Sequence, residues 1–487
     1  MNSTKSFSNI RKICDSILLK NLNEITISNN SLNVIKGHPF HLKLYNEKKT
    51  KKFLNILIHI FKNLVYLFFS TIKNYSSKKL SKRKVDVLLI SNLVNINDIN
   101  KEDYIFSDLE KKFKNSKIKF HKIFINHTNF SKNEILKKIK KKKNISILEF
   151  YYTNYKSSYL IFYNQIKYFY LFILLAFRES NNKEKKNMLL FIASEFLNLN
   201  TKKNLNLLEN YKNFIKNVSF NKLLIPYEGY SWERLILKAS KDKMNNLKCY
   251  GYHFSALSKF QHSIFRKVNS VYEPDLIYTT GRFSKNEFEK KINKKIKILG
   301  SNRFYKKKIK LNKNNKIHRC LVLPEGILSE CLKIFSFSIL AAKSHTKMRF
   351  IWRLHPTMNF KEILSKMKIA SKQDLPKNIY LSEGSFFKDI ESANFCLYRG
   401  STASITSLQN GILPIYLNDK NTSNIDPLYK LKKWKQVINN LNDFNKIINN
   451  KKIKKKDLKD KKFAINFSLK YFEKLNTDKL IKDFKKK

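Results

Sequence analysis

Residues 85–93, VDVLLISNL, form a short apolar run rich in β-branched residues, and the order of segments after this run decides the fold. Polar VNINDINKED (94–103) comes next, then a stretch with helical spacing, IFSDLEKKFKN (105–115), then a second apolar run, IKFHKIFIN (118–126). Strand, helix, strand in that order is the opening of a doubly wound α/β domain with a parallel sheet. Outward from there, a long middle at about 131–218 reads as helical, and NKLLIPYEGYSWERLILKAS (221–240) and KCYGYHFSAL (248–257) resume the rhythm. A second set of stretches, PDLIYTTG (274–281), IKILGSNRF (296–304), RCLVLPEG (319–326), RFIWRLHP (349–356), IYLSEG (379–384) and ANFCLYRG (393–400), each has an apolar run closed by Gly, Pro or a polar residue. These predict a second α/β domain, so the expected fold class is α/β with two facing Rossmann-like domains. The expected boundaries are an N-terminal, mostly helical extension over 1–80, a first domain over 81–265, a second over 266–440, and a Lys-rich helical segment over 441–487. In that last segment Phe463, Ile465, Phe467, Leu469 and Phe472 offer an apolar face. A chain of 487 residues is too long for one core, which agrees with two domains.

The formal charge of +61 would ordinarily point to a polyanion. Of the 98 basic residues, however, only 11 are Arg, and the lysines run through every polar segment beside Asn and Ile, as an AT-rich coding bias would leave them. That is a solvated surface, and with no nucleic-acid motif present, nucleic-acid binding is not expected. Residues that such a drift erodes are informative where they persist: seven of the nine glycines lie between Gly229 and Gly400. Five cysteines, odd in number and without CxxC spacing, suggest a reducing cytoplasm, with neither disulfides nor zinc. The start has no long apolar core followed by a small-residue cleavage site, so no signal peptide is expected. Two apolar segments, 53–72 and 159–177, are nearly long enough to span a membrane. Lys62, Asn63, Asn164, Gln165 and Lys167 interrupt them, which favours buried or interfacial helices.

In doubly wound domains ligands bind outside the carboxyl ends of the strands, and four unusual loops fall there. In PYEGYSWERLI, Glu228 directly follows a strand and precedes a Gly. It reads as a general base or substrate ligand, with a structural loop carboxylate as the alternative. Glu233 in the same loop suits the first turn of a helix. In LPEGILSE, Glu325 and Gly326 open a helix, leaving amides that could face a phosphate or base edge, or forming an ordinary turn. In RFIWRLHP, Arg353 and His355 share a face of a strand that Pro356 cuts off, as donors to a leaving phosphate. In YRGSTASITSL, Arg399, Gly400, Ser401 and Thr402 bring backbone N–H groups and hydroxyls to a helix start, as a phosphate cradle or a plain cap.

This order, an acidic-Gly motif, then His-Pro, then a Ser/Thr-rich helix start, resembles the GT-B-fold glycosyltransferases of bacterial surface polysaccharides. It is most similar to the sialyltransferase and polysialyltransferase group that uses CMP-activated sugars, and to the uncharacterised surface carbohydrate biosynthesis proteins near it. The resemblance covers roughly 85–440. It implies that Glu228 takes the place of the acceptor-activating carboxylate, that His355 contacts the nucleotide and assists departure of CMP, and that Ser401 and Thr402 bind its phosphate. The family motif carries two acidic residues before its Gly, and here Tyr227 stands in the first of those positions, which implies either Glu233 as a substitute base or another acceptor geometry. The resemblance also implies metal-independent inverting transfer with no cofactor, a C-terminal helix that crosses back to the first domain, and a glycan or lipid-linked acceptor. A cytoplasmic enzyme peripheral to the inner membrane would fit that role. Two other readings are a CDP-glycerol or ribitol phosphotransferase, for which GYHFS (251–255) is a distant approximation of the His-Gly motif, and a non-catalytic protein of anionic membrane surfaces.

Overall fold

A computed structural model describes residues 3–33, 49–72, 82–96, 99, 101–128, 130–138, 144–150, 153–304, 318–355, 358–420, 422, 424–450 and 458–485. Pro356, and much of the polar run at 74–84, lie outside the described residues.

Two parallel sheets organise the chain. The first joins β1 (Arg83–Leu93), β2 (Phe120–Asn126), β3 (Ile145–Leu148), β4 (Val218–Pro226), β5 (Lys248–His253), β6 (Leu276–Thr279) and β7 (Lys295–Ile298) in the order β3-β2-β1-β4-β5-β6-β7. The second joins β8 (Arg319–Leu323), β9 (Arg349–Trp352), β10 (Ile379–Leu381), β11 (Phe395–Tyr398), β12 (Leu413–Leu417) and β13 (Gln436–Ile438) in the order β10-β9-β8-β11-β12-β13. All their pairings are parallel. These are the two doubly wound domains that the strand-helix rhythm predicts. The central strands are buried on both faces, so they read as continuous apolar runs rather than as alternation.

Three expectations are corrected. PDLIYTTG and IKIL do not open the second sheet: Leu276 pairs with Tyr250 and Ile277 with Ile296, which makes them the sixth and seventh strands of the first. A strand-helix rhythm has no mark for the point where one sheet stops, so the pattern alone could not place that boundary. The long middle expected to be helical contains β3, which pairs with β2 at Phe124 and Ile147. And β9 ends at Trp352, so Arg353 and His355 stand in the loop beyond it rather than alternating along a strand.

The Asn-rich composition is put to use at helix starts. Asn154, Asn182, Asn198, Asn359 and Asn440 each accept a backbone N–H from the first turn of the next helix, a cap worth about 1 kcal/mol. The described N-terminal residues buttress the first domain. Arg266, buried, donates through Nε to Asp15 Oδ1 at 2.8 Å and through Nη1 to the Asn33 carbonyl at 2.7 Å, and His262 meets Asp15 at 3.0 Å. At the other terminus, the Leu458–Leu469 helix packs on the Ala403–Gln409 helix of the second domain. The chain then returns to the first, where Leu480, Ile481 and Phe484 join the cluster of Phe106, Phe113 and Tyr278. The apolar face expected there is only partly covered: Phe472 is buried, Phe467 is partly buried and Phe463 is exposed. Between the domains, Phe283 stacks on Tyr471 at 4.0 Å and Lys430 Nζ meets Glu287 Oε1 at 2.5 Å.

Candidate functional site

In each sheet three adjacent strands carry polar groups on the loops at their carboxyl ends. In the first these are β1, β4 and β5. Gly229 follows Glu228 with φ +79°, a left-handed turn that Gly adopts without penalty, and a Cβ there would lie 2.6 Å from the Ser263 carbonyl carbon and oxygen. The turn halts the strand and lifts Glu228 off its tip. It is pinned from several sides: Ser263 Oγ donates to the Glu228 carbonyl at 2.7 Å, and Arg234 Nε and Asn33 Nδ2 donate to the Gly229 carbonyl at 3.3 and 3.4 Å.

Glu228 and Glu233 are separated by what they bond. Glu233 Oε2 accepts the N–H of Glu228 at 2.8 Å and of Tyr230 at 2.9 Å, so its carboxyl group is the cap that shapes the loop. Burial and the neighbouring Glu228 raise its pKa well above the ordinary range, while the N–H donors from Glu228, Tyr230 and Gly229 pull the other way. The Glu228 carboxylate instead receives the Tyr230 hydroxyl, and its charge, followed by burial, holds that phenol well above its usual pKa. Its field also reaches Tyr104 and His253. His253, the last residue of β5, is buried, and burial pushes its pKa down to about 4, with Glu228 opposing and Arg303 assisting. Burial raises Tyr104 to about 12, against a hydrogen bond with Asn92 of β1. Glu228, Tyr230, His253, Tyr104, Asn92 and Arg303 therefore make one cluster, with a carboxylate beside phenols and a neutral imidazole. Of these, only Glu228 was among the site residues expected from sequence; Tyr230, His253, Tyr104, Asn92 and Arg303 were not. The available signal was position: His253 is the polar residue that closes β5, and Asn92 is the penultimate residue of β1.

In the second sheet the loops after β9, β8 and β11 hold His355, Glu325–Gly326 and Gly400–Thr402. Register places them together, since Leu323 pairs with Tyr398 and Val322 with Trp352. Glu325 lies directly over Gly400: a Cβ on Gly400 would stand 2.3 Å from its Oε2. His355 is half-buried, and burial lowers its pKa while Glu325 raises it. Ser401 and Thr402 open the Ala403–Gln409 helix. The Ser401 carbonyl accepts Ser404 Oγ at 2.8 Å, and neither the Ser401 nor the Thr402 hydroxyl is engaged among the described residues.

The two arginines expected at this site are held to different degrees, Arg353 through Nη1 alone and Arg399 through all three nitrogens. Arg353 Nη1 donates to Asp389 Oδ2 at 2.8 Å, to the Gly384 carbonyl at 2.9 Å and to Ser382 Oγ at 3.1 Å, tying β9 to the start of the Phe386–Ser392 helix. Arg399 is fully buried, with Nε on Glu330, Nη1 on the Leu417 carbonyl at 3.0 Å and Nη2 on Thr422 Oγ1 at 2.6 Å. A guanidinium so saturated holds the sheet to the helix behind it and has little left for a phosphate. Among the described residues no three His, Cys, Asp or Glu side chains gather as a metal would require, and the five cysteines are all buried and unpaired as disulfides.

No family model and no curated protein matches the chain. Among solved structures it is similar to a kitacinnamycin glycotransferase, at 8% identity and a TM-score of 0.43, covering 83% of this chain and 99% of that one. It is similar to the UDP-GlcNAc 2-epimerase of Methanocaldococcus jannaschii, at 9% identity and a TM-score of 0.45, covering 82% and 99%. It is similar also to a glycosyltransferase of Rickettsia africae, at 15% identity and a TM-score of 0.43, covering 83% and 98%. Likeness of this degree carries no information on substrate or chemistry, which rest on the residues above.

Proposed function

We propose that the protein is a cytoplasmic glycosyltransferase that moves a sugar from a nucleotide-activated donor to a glycan or lipid-linked acceptor of surface polysaccharide synthesis. The favoured donor is a CMP-linked nonulosonic acid. The observation that carries the reading is the convergence of His355, Glu325 and the Gly400–Thr402 turn on three adjacent loops of the second sheet. Free hydroxyls and amides at Ser401 and Thr402 suit a phosphate. A carboxylate does not, so Glu325 takes hydroxyl or amino hydrogens of the ribose or base. His355, kept mainly neutral by burial, donates a ring N–H to the leaving phosphate as charge builds there. Across the cleft Glu228 accepts the acceptor hydroxyl proton as the new glycosidic bond forms and the bond from sugar to phosphate breaks. Glu233 is the positioning group that sets the loop, and Arg399 leaves the list of ligands. No cofactor is required for this chemistry.

The test is a thermal-shift titration of the whole protein with CMP, CDP, UDP and GDP, because a ligand of the folded state stabilises with occupancy. CMP standing apart, with the shift reduced in His355→Ala and Ser401→Ala, supports the reading. A CDP preference favours transfer of glycerol or ribitol phosphate. No shift with any nucleotide removes the transferase reading.

A further inference from the structure

The Lys49–Ile72 and Tyr155–Arg178 helices lie side by side on the first domain, and each turns an apolar face to solvent. On the first, Leu57, Phe61, Leu64 and Phe68 recur at four, seven and eleven residues from Leu57, which is one helix face, and Phe61 is 68% exposed. On the second, Tyr159, Leu160, Tyr163, Tyr170, Leu174 and Phe177 are exposed, Phe177 to 70%. Two adjacent faces of this kind make a patch larger than single scattered side chains explain.

We propose that these two helices are a docking face for an anionic lipid bilayer, in which they lie along the surface without crossing it. The Tyr155–Arg178 helix is long and apolar enough to span. Its inner side is nevertheless fastened to the domain: Gln165 Nε2 donates to the Phe196 carbonyl at 2.6 Å, and the Phe172 and Phe196 rings meet at 4.8 Å. On the neighbouring helix Asn63 Nδ2 donates to the Leu197 carbonyl at 2.6 Å. Spanning would tear both helices from these partners. Lying flat keeps them and buries only the outward face, to a depth of about 5–10 Å.

Charge selects the occupant. Neither helix contains an Asp or Glu, while Lys62 lies on the first and Lys156, Lys167 and Arg178 on the second. A second copy would set cations against cations with no acid to answer them, whereas anionic headgroups complement them. Exposed tyrosines suit the headgroup level, with an apolar ring below and a hydroxyl above. The face belongs to the domain that carries Glu228, yet the inference does not depend on the transfer reading.

Flotation of the full chain tests it, with vesicles of phosphatidylcholine alone and with about 30% phosphatidylglycerol at about 0.15 M salt. The wild type should float with the anionic vesicles. Phe61→Glu with Phe68→Glu, and separately Leu160→Glu with Leu174→Glu and Phe177→Glu, should each lower partitioning at least about tenfold. Thermal midpoints and nucleotide shifts should stay unchanged, which separates this outcome from failure of the transferase reading. Variants that float like the wild type overturn the proposal and leave the lysines alone responsible. A wild-type dimer that these variants dissociate, without vesicle binding, assigns the face to a second copy and overturns it as well.

Discussion

Gly400 and Gly229 are both crowded, and the obstacle differs. A methyl group at Gly400 meets the end of the Glu325 side chain, which can swing away, whereas at Gly229 it meets the backbone of Ser263 and needs a left-handed φ. Gly400→Ala should therefore leave the thermal midpoint within a few degrees but displace the Glu325 carboxylate and weaken donor binding about tenfold, read by nucleotide titration. Gly229→Ala should cost about 3 kcal/mol of stability in denaturant unfolding, from strain and overpacking together. The two acids of the same loop divide in the same manner. Glu228→Gln keeps the fold and should lower turnover by about a hundredfold or more, with donor binding intact. Glu233→Gln still offers an oxygen to the loop amides, so its loss should be smaller and fall on stability and turnover together. Equal effects of the two variants on turnover alone would undo the assignment of base and cap.

At the scale of elements, apolar runs closed by Gly, Pro or polar residues were enough to show parallel strands, because buried parallel strands have no alternation to lose. The same local pattern was silent on membership: β6 and β7 look like β8 and β11, and only the pairing of Leu276 with Tyr250 assigns them. Site residues divide likewise. The placement of Glu228, Glu325 and Gly400 just beyond strand ends was legible because strand tips and helix starts are local features. Arg399 was misread because its partner, Glu330, stands 69 residues away, and spacing does not reveal which carboxylate will claim a guanidinium. The C-terminal Asp478–Lys485 helix is placed by the same non-local logic. Asp483 takes the Tyr278 hydroxyl and Lys297, at 2.6 Å, while Leu480 and Phe484 fill the space beside Phe113. Ending the chain after residue 476 would expose these contacts. At about 2 kcal/mol for each buried apolar side chain, the truncation should cost roughly 5 kcal/mol in denaturant unfolding, despite removing nothing from either site.

Over the whole molecule, the two sheets present different groups on their carboxyl-end loops: carboxylates and phenols beside a buried neutral imidazole in the first, a hydroxyl-lined turn in the second. Holding uncharged histidines inside so basic a chain makes its stability depend on pH. His121, bonded to Ser146 Oγ at 2.9 Å, and His253 are both buried, and burial brings each pKa down to about 4, with Arg83 adding to the effect on His121. In the unfolded chain both return to about 6.5. Between pH 6.5 and 4 the unfolded form therefore binds protons that the folded form refuses, so stability is fully present above about 6.5 and falls through that window on acidification. Each histidine can remove on the order of 3 kcal/mol by the lower end. Thermal unfolding recorded from pH 7.5 to 4.5, at about 0.15 M salt to screen the surface lysines, should show a midpoint that drops steadily below about 6.5. His121→Asn should flatten the slope. A midpoint constant across the range would mean that these rings are hydrated in the folded protein, and with them the interior of the first site.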